Sequence, residues 1–163
     1  MNTLIVYYTL EGNTEYAANR IKEKTGADVL KLIPKKAYHD KGFKKFFFGG
    51  KSAVMGEKPE LEAYTVDLSS YEQIVFAFPV WASHVTPPIR TFVVENEAAL
   101  KGKSFSVFAC QSGNGAQKAF KDLAKLLGIE SFRNSAVFID PKARPEASKD
   151  QAIDAFAGKL MGN

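Results

Sequence analysis

The amino-acid sequence predicts an α/β protein built on a doubly wound, five-stranded parallel sheet with helices on both faces. Two observations carry this prediction. Five short β-rich runs, at residues 3–8, 28–33, 73–78, 104–110 and 135–140, alternate with segments of helical periodicity. That alternation is the pattern of strand–helix–strand units with parallel strands. Several of the runs are apolar almost throughout, as in Ile74-Val75-Phe76-Ala77-Phe78, which suits strands covered on both faces.

The helical segments follow in order. Residues 14–24 place Ala17, Ala18 and Ile21 on one face, with Gly26 as a stop. Thr86 before Pro87-Pro88 predicts an N-cap with proline in the first turn, and Ile89, Phe92 and Val93 then recur at helical spacing. Residues 116–127 carry Phe120, Leu123, Leu126 and Leu127 before Gly128. Near the end, Ser148-Lys149-Asp150-Gln151 reads as a capping box ahead of the stripe Ile153, Phe156, Ala157 and Leu160. Residues 35–68 resist the alternation. They contain Phe43, Phe46, Phe47 and Phe48, then Gly49-Gly50 and Pro59. A short helix over residues 41–48 is expected there, in a segment packed over one edge of the sheet in place of the second helix.

With 163 residues the chain fits one domain, residues 1–163. Its 45% apolar and 25% charged content is that of an ordinary globular protein. The one cysteine, Cys110, allows no internal disulfide. The N-terminus lacks the charged and small-residue features of a secretory signal, and no run approaches the ~20 apolar residues of a membrane span. A cytoplasmic protein with no membrane association is expected. The net charge of +4 is spread along the chain apart from Lys41, Lys44, Lys45 and Lys51, and no nucleic-acid motif accompanies it, so no nucleic-acid partner is expected. His39 and His84 are the only histidines, and no metal site is expected.

Three loops at the carboxyl ends of predicted strands carry the chemistry. The first, Thr9-Leu10-Glu11-Gly12-Asn13-Thr14, joins the first strand to the first helix. A helix start offers unpaired N–H groups and the positive end of a dipole. Gly12 permits close approach, while Thr9, Asn13 and Thr14 add side-chain donors. The loop therefore suits a phosphate group, although a plain strand-to-helix turn would share its glycine. Two other phosphate loops are excluded. Gly50-Lys51-Ser52 ends like a Walker loop, but the glycine required five residues earlier is Lys45. The spaced glycines of a dinucleotide fingerprint are missing. A phosphoacceptor receiver domain would need acidic strand ends, where the chain has Tyr7-Tyr8-Thr9 and Phe78-Pro79.

The second loop, Pro79-Val80-Trp81-Ala82-Ser83-His84, holds the only tryptophan. Its ring can stack on a flat aromatic ligand or belong to the core. His84 can carry a proton near neutrality or merely decorate the loop. The third loop, Gln111-Ser112-Gly113-Asn114, follows Cys110, which at the end of a buried strand reads as an inert small hydrophobe, with a nucleophile as the sharper alternative.

These loops resemble those of the flavodoxin family. Thr9, Gly12 and Thr14 match the family's phosphate pattern, Ser/Thr-x-Thr-Gly-x-Thr, and Glu11 departs from it by placing a carboxylate where threonine is common. Pro79-Val80-Trp81 resembles the Pro-x-Trp loop that lines the flavin ring. The resemblance covers nearly the whole chain and implies the strand order 2-1-3-4-5, a ligand site at the carboxyl edge and FMN as cofactor. It implies that the residues from Thr9 to Thr14 anchor the phosphate and those from Pro79 to His84 line the ring. Gln111, Ser112, Gly113 and Asn114 would meet the pyrimidine end. No side chain need act as a catalytic group, because the cofactor carries the chemistry. Electron transfer with redox partner proteins or small donors and acceptors is the function implied, by a monomer or homodimer. An FMN-dependent NAD(P)H or quinone oxidoreductase and a non-redox module that has lost the cofactor are the alternatives. Carriers of this family are typically acidic, so the basic balance here predicts a less negative potential for the last reduction step.

Overall fold

The structure, a computed structural model, describes residues 1–38 and 49–162. The helix expected over residues 41–48, its four phenylalanines and His39 lie outside the described residues. Strands β1 (Thr3–Tyr7), β2 (Asp28–Lys31), β3 (Gln73–Pro79), β4 (Ser104–Gln111) and β5 (Ser135–Ile139) form one sheet in the order β2-β1-β3-β4-β5. Every neighbouring pair is parallel. The register places Val6 beside Phe76 and Phe76 beside Val107, so the strongest apolar runs occupy the middle of the sheet.

The helices α1 (Asn13–Thr25), α2 (Gly50–Val54), α3 (Pro87–Glu95), α4 (Glu97–Leu100), α5 (Ala116–Leu127) and α6 (Ala147–Leu160) complete the fold. Successive side chains of a strand point to opposite faces, and the core divides accordingly. Ile5, Tyr7, Val75, Ala77, Phe108 and Cys110 face Ala17, Ala18 and Ile21 of α1 and Ile153, Phe156 and Ala157 of α6. Leu4, Val6, Ile74, Phe76, Phe78 and Val107 face Ile89 and Phe92 of α3 and Phe120 and Leu123 of α5. The stretch between β2 and β3 adds Leu32, Ala53, Leu61 and Leu68 to this second layer. It is tied to the sheet edge by an antiparallel bridge between Pro34 and Leu61. This is the covering role expected of the irregular segment, performed without a long helix in its described part.

One predicted cap is corrected, and another holds in position without its side-chain bond. Helix α6 begins at Ala147 with Glu146 as its N-cap, so Ser148 lies inside the first turn and the capping box does not form. The Lys149 and Asp150 amides already donate to Glu146 O, which shows that the chain turns helical two residues early, just past Pro145. Thr86 does occupy the N-cap position of α3, but its side chain makes no capping bond. Pro87 and Pro88 remove the N–H groups nearest to a cap, and the Ile89 amide donates to Thr86 O instead. Gly26 and Gly128 close α1 and α5 in left-handed conformations, as the sequence predicts.

Candidate functional site

The carboxyl edge of the sheet carries a cavity of ≈ 330 Å³ between the loops after β1, β3 and β4. It lies at the switch point, where β1 leads outward to β2 on one side and β3 follows on the other, as ligand sites of open α/β sheets do. Thr9, Leu10, Glu11, Asn13, Thr14, Pro79, Val80, Trp81, Ala82, Gln111, Ser112, Gly113 and Asn114 line it. Gly12, Ser83 and His84 belong to the same loops but do not line the cavity. Cys110, Gly50 and Asp140 line it as well.

At the first loop, Gly12 holds φ at +91° and opens α1. Its amide donates to Thr9 Oγ1 at 3.0 Å, which leaves the Thr9 hydroxyl proton for another acceptor. The first intrahelical bond of α1 runs from the Tyr16 amide to Gly12 O at 3.0 Å. The N–H groups of Asn13, Thr14 and Glu15 thus precede the helix's own ladder. Thr14 is fully buried, and its Oγ1 meets no nitrogen or oxygen partner, only the Cys110 thiol, a weak one. A buried hydroxyl in that state costs about 1–3 kcal/mol, so its presence at a helix start that lines a cavity fits an anion received there. Glu11 is exposed at the cavity rim. Glu15 is directed away, holding Lys31 at 2.8 Å and the Tyr7 hydroxyl at 3.1 Å. The Lys31 hydrogen bond is the main influence that keeps its carboxyl below the usual range, over an opposing effect of burial.

Trp81 fills both roles that the sequence left open. Its ring is 9% exposed and belongs to the core layer under α3 and α5, yet it also lines the cavity. Tyr8 and Tyr38 meet it edge to face at 5.5 and 5.0 Å. Gly49 covers the ring closely: a Cβ there would stand 3.3 Å from Trp81 Cε3. The loop then reverses in a tight turn in which the His84 amide donates to Trp81 O at 2.9 Å. Ala82 and Ser83 both take positive φ, 49° and 64°. Such a pair favours glycine or asparagine, so the turn holds local strain beside the cavity.

The turn directs His84 away from the cavity. Its Nδ1 pairs with Asp122 and its Nε2 lies 3.1 Å from Lys118 Nζ, both on α5. His84 was expected at the ring edge. The structure corrects this: an i+3 residue of the turn points back over the sheet face that α5 covers. Ser83 packs against Gly115, where any Cβ would collide with it.

The third loop is anchored at both ends. Gln111 Oε1 accepts from the Ala116 amide at 3.1 Å, which satisfies a first-turn donor of α5. Ser112 Oγ donates to Asp140 Oδ1 at 2.7 Å. Asp140 is 5% exposed and pairs with Arg144 at 3.0 Å. Gly113 and Asn114 remain at the cavity with their backbone groups exposed. Burial pushes the Cys110 thiol up to about 12, so it stays protonated near neutrality and is no nucleophile.

The sequence reading missed the loop after β5. Asn13 Oδ1 accepts from the Lys142 and Ala143 amides at 2.9 and 3.1 Å. The Lys142 side chain occupies the space where a Gly12 Cβ would stand, with Nζ 2.6 Å from that point. Asn13 was expected to offer its amide to a ligand. It does line the cavity, and its carbonyl end also ties two loops together. Asp140, an acidic residue at the end of the fifth parallel strand, was the available signal.

A family model for flavodoxin matches residues 2–150. The fold is also similar to solved structures at low sequence identity. One is a protein from Bacteroides eggerthii DSM 20697, with a TM-score of 0.75 and 19% identity over 98% of each chain. Another is a flavoprotein from Lactobacillus acidophilus NCFM in complex with FMN, with a TM-score of 0.73 and 18% identity over 96% of this chain and 98% of that one. A third is the two-electron reduced flavodoxin of Megasphaera elsdenii, with a TM-score of 0.55 and 20% identity over 96% and 98%. With the family model spanning most of its length and the sheet order in agreement, the chain belongs to the flavodoxin family.

Proposed function

We propose that this protein binds FMN at the carboxyl edge of its sheet and passes electrons between redox partners in the cytoplasm. The observation that carries the reading is the Thr14 hydroxyl, fully buried without a nitrogen or oxygen partner at the start of α1 and lining the cavity shared by three loops. A phosphate there would accept from that hydroxyl, from Thr9 and from the first-turn amides, each bond to a charged acceptor contributing about 1.5–3 kcal/mol. The flavodoxin family and the FMN complex of a structural neighbour support the choice of ligand.

Bound FMN would supply one- and two-electron redox chemistry. The chain's part is to hold and surround it. Trp81, braced by Tyr8 and Tyr38, presents an aromatic wall. Ser112, fixed by Asp140, and the backbone of Gly113 and Asn114 form the polar side. No side chain on the cavity is placed as a nucleophile, and the protonated Cys110 thiol is a small apolar wall.

The test is a visible spectrum of the purified protein, and of the apoprotein after adding FMN. Expected are flavin absorption bands, quenched flavin fluorescence and one FMN per chain. Absence of binding at micromolar FMN overturns the reading. NAD(P)H oxidation by the holoprotein without a partner protein would move the assignment to an oxidoreductase.

A further inference from the structure

We infer that Lys142, on the loop after β5, is a phosphate-binding cation that completes the anion site at the start of α1. The Lys142 side chain crosses directly over Gly12, with Nζ 2.6 Å, Cδ 3.2 Å and Cε 3.5 Å from the point a Cβ on Gly12 would occupy. Its backbone is fixed in place, because Asn13 Oδ1 accepts from the Lys142 and Ala143 amides. The position is therefore set by the phosphate loop itself.

Charge balance agrees. Glu15 is near enough to feel the Lys142 charge, but its ion pair is with Lys31, and Asp140 pairs with Arg144. The cation stands beside Gly12 at the helix start, two residues before the fully buried Thr14 hydroxyl that lines the cavity. Lysine suits the task, since its ammonium is a compact charge with three donors on a flexible stem. The inference deepens the FMN reading, and rests on it for the molecule that carries the phosphate.

The experiment compares the native chain with Lys142→Met, Lys142→Arg and, as a charge-matched control on α6, Lys159→Met. Apoprotein is titrated with FMN and with riboflavin, which lacks the phosphate. Loss of one charged hydrogen bond predicts FMN binding weakened about tenfold or more in Lys142→Met. Riboflavin should change less than about threefold, Lys142→Arg should recover most of the affinity, and Lys159→Met should match the native chain. Equal FMN affinity in Lys142→Met, or equal losses for both flavins, overturns the inference. A second measurement is independent of flavin: inorganic phosphate should raise the Tm of the native apoprotein more than that of Lys142→Met. If the native chain binds no flavin, the FMN reading fails, while the phosphate comparison still decides the role of Lys142. Equal Tm shifts, or none in either chain, reject it.

Discussion

Thr14 holds its hydroxyl buried at the start of α1 without a nitrogen or oxygen partner, an arrangement that costs the apoprotein stability. Replacing the hydroxyl with a methyl group in Thr14→Val keeps the shape and removes that cost. The apoprotein is expected to gain about 1 kcal/mol in urea unfolding, while FMN affinity falls about tenfold or more. A variant that loses stability and keeps its affinity would show the hydroxyl to be structural. Of the residues around it, Thr9, Gly12 and Thr14 were legible because a helix start constrains residue type locally. Lys142 was not legible, because 129 positions separate it from Asn13 in the chain and only the sheet order brings the two loops together.

Among the helices, the most extensive junction is where α1 meets α6. Arg20 of α1 holds Asp154 with two hydrogen bonds of 2.7 and 2.9 Å and reaches Asp150 at 3.2 Å. Tyr16 donates to Asp150 at 2.7 Å and Lys24 lies 3.2 Å from Asp154. The Arg20 hydrogen bond is the largest influence holding the Asp154 carboxyl below its usual range. A depressed carboxylate contributes stability that is present above its unfolded pKa, near 3.9, and is lost as pH falls through the lower folded value. Asp154→Asn is therefore expected to be slightly less stable than the native chain at pH 7, with the difference closing as pH falls below about 4. Because the pair faces solvent, the effect is small and shrinks in high salt. Thermal unfolding across pH checks this; a difference that persists unchanged at pH 2–3 would place the cause elsewhere. The apolar stripes of α1 and α6 were readable from periodicity. The start of α6 was not, since Glu146 and the turn after Pro145 took the cap before Ser148 could.

For the whole molecule, the net charge of +4 sets a field at the bound flavin. Four charges at a mean distance of ~15 Å, about the radius of gyration of a chain this long, contribute about 1 kcal/mol in water. That corresponds to at most ~50 mV for a one-electron step, in the direction that favours an anionic reduced flavin. The second reduction potential should therefore lie above that of acidic carriers and fall by up to ~50 mV as salt is raised from low ionic strength to 1 M. A potential that is independent of salt would show that local groups dominate. Glu11 and Asp140 at the cavity act against the net charge, with Asp140 offset by Arg144. The sequence by itself determined the sheet, its four long helices and three of the loops at its edge, because strand and helix periodicity, proline and glycine act over a few neighbouring residues. Only the tertiary structure decided that His84 turns toward α5, that Trp81 is both core and cavity wall, and that the loop after β5 brings a cation to Gly12. Each of those depends on which distant segments a parallel sheet sets side by side, and no local pattern carries that information.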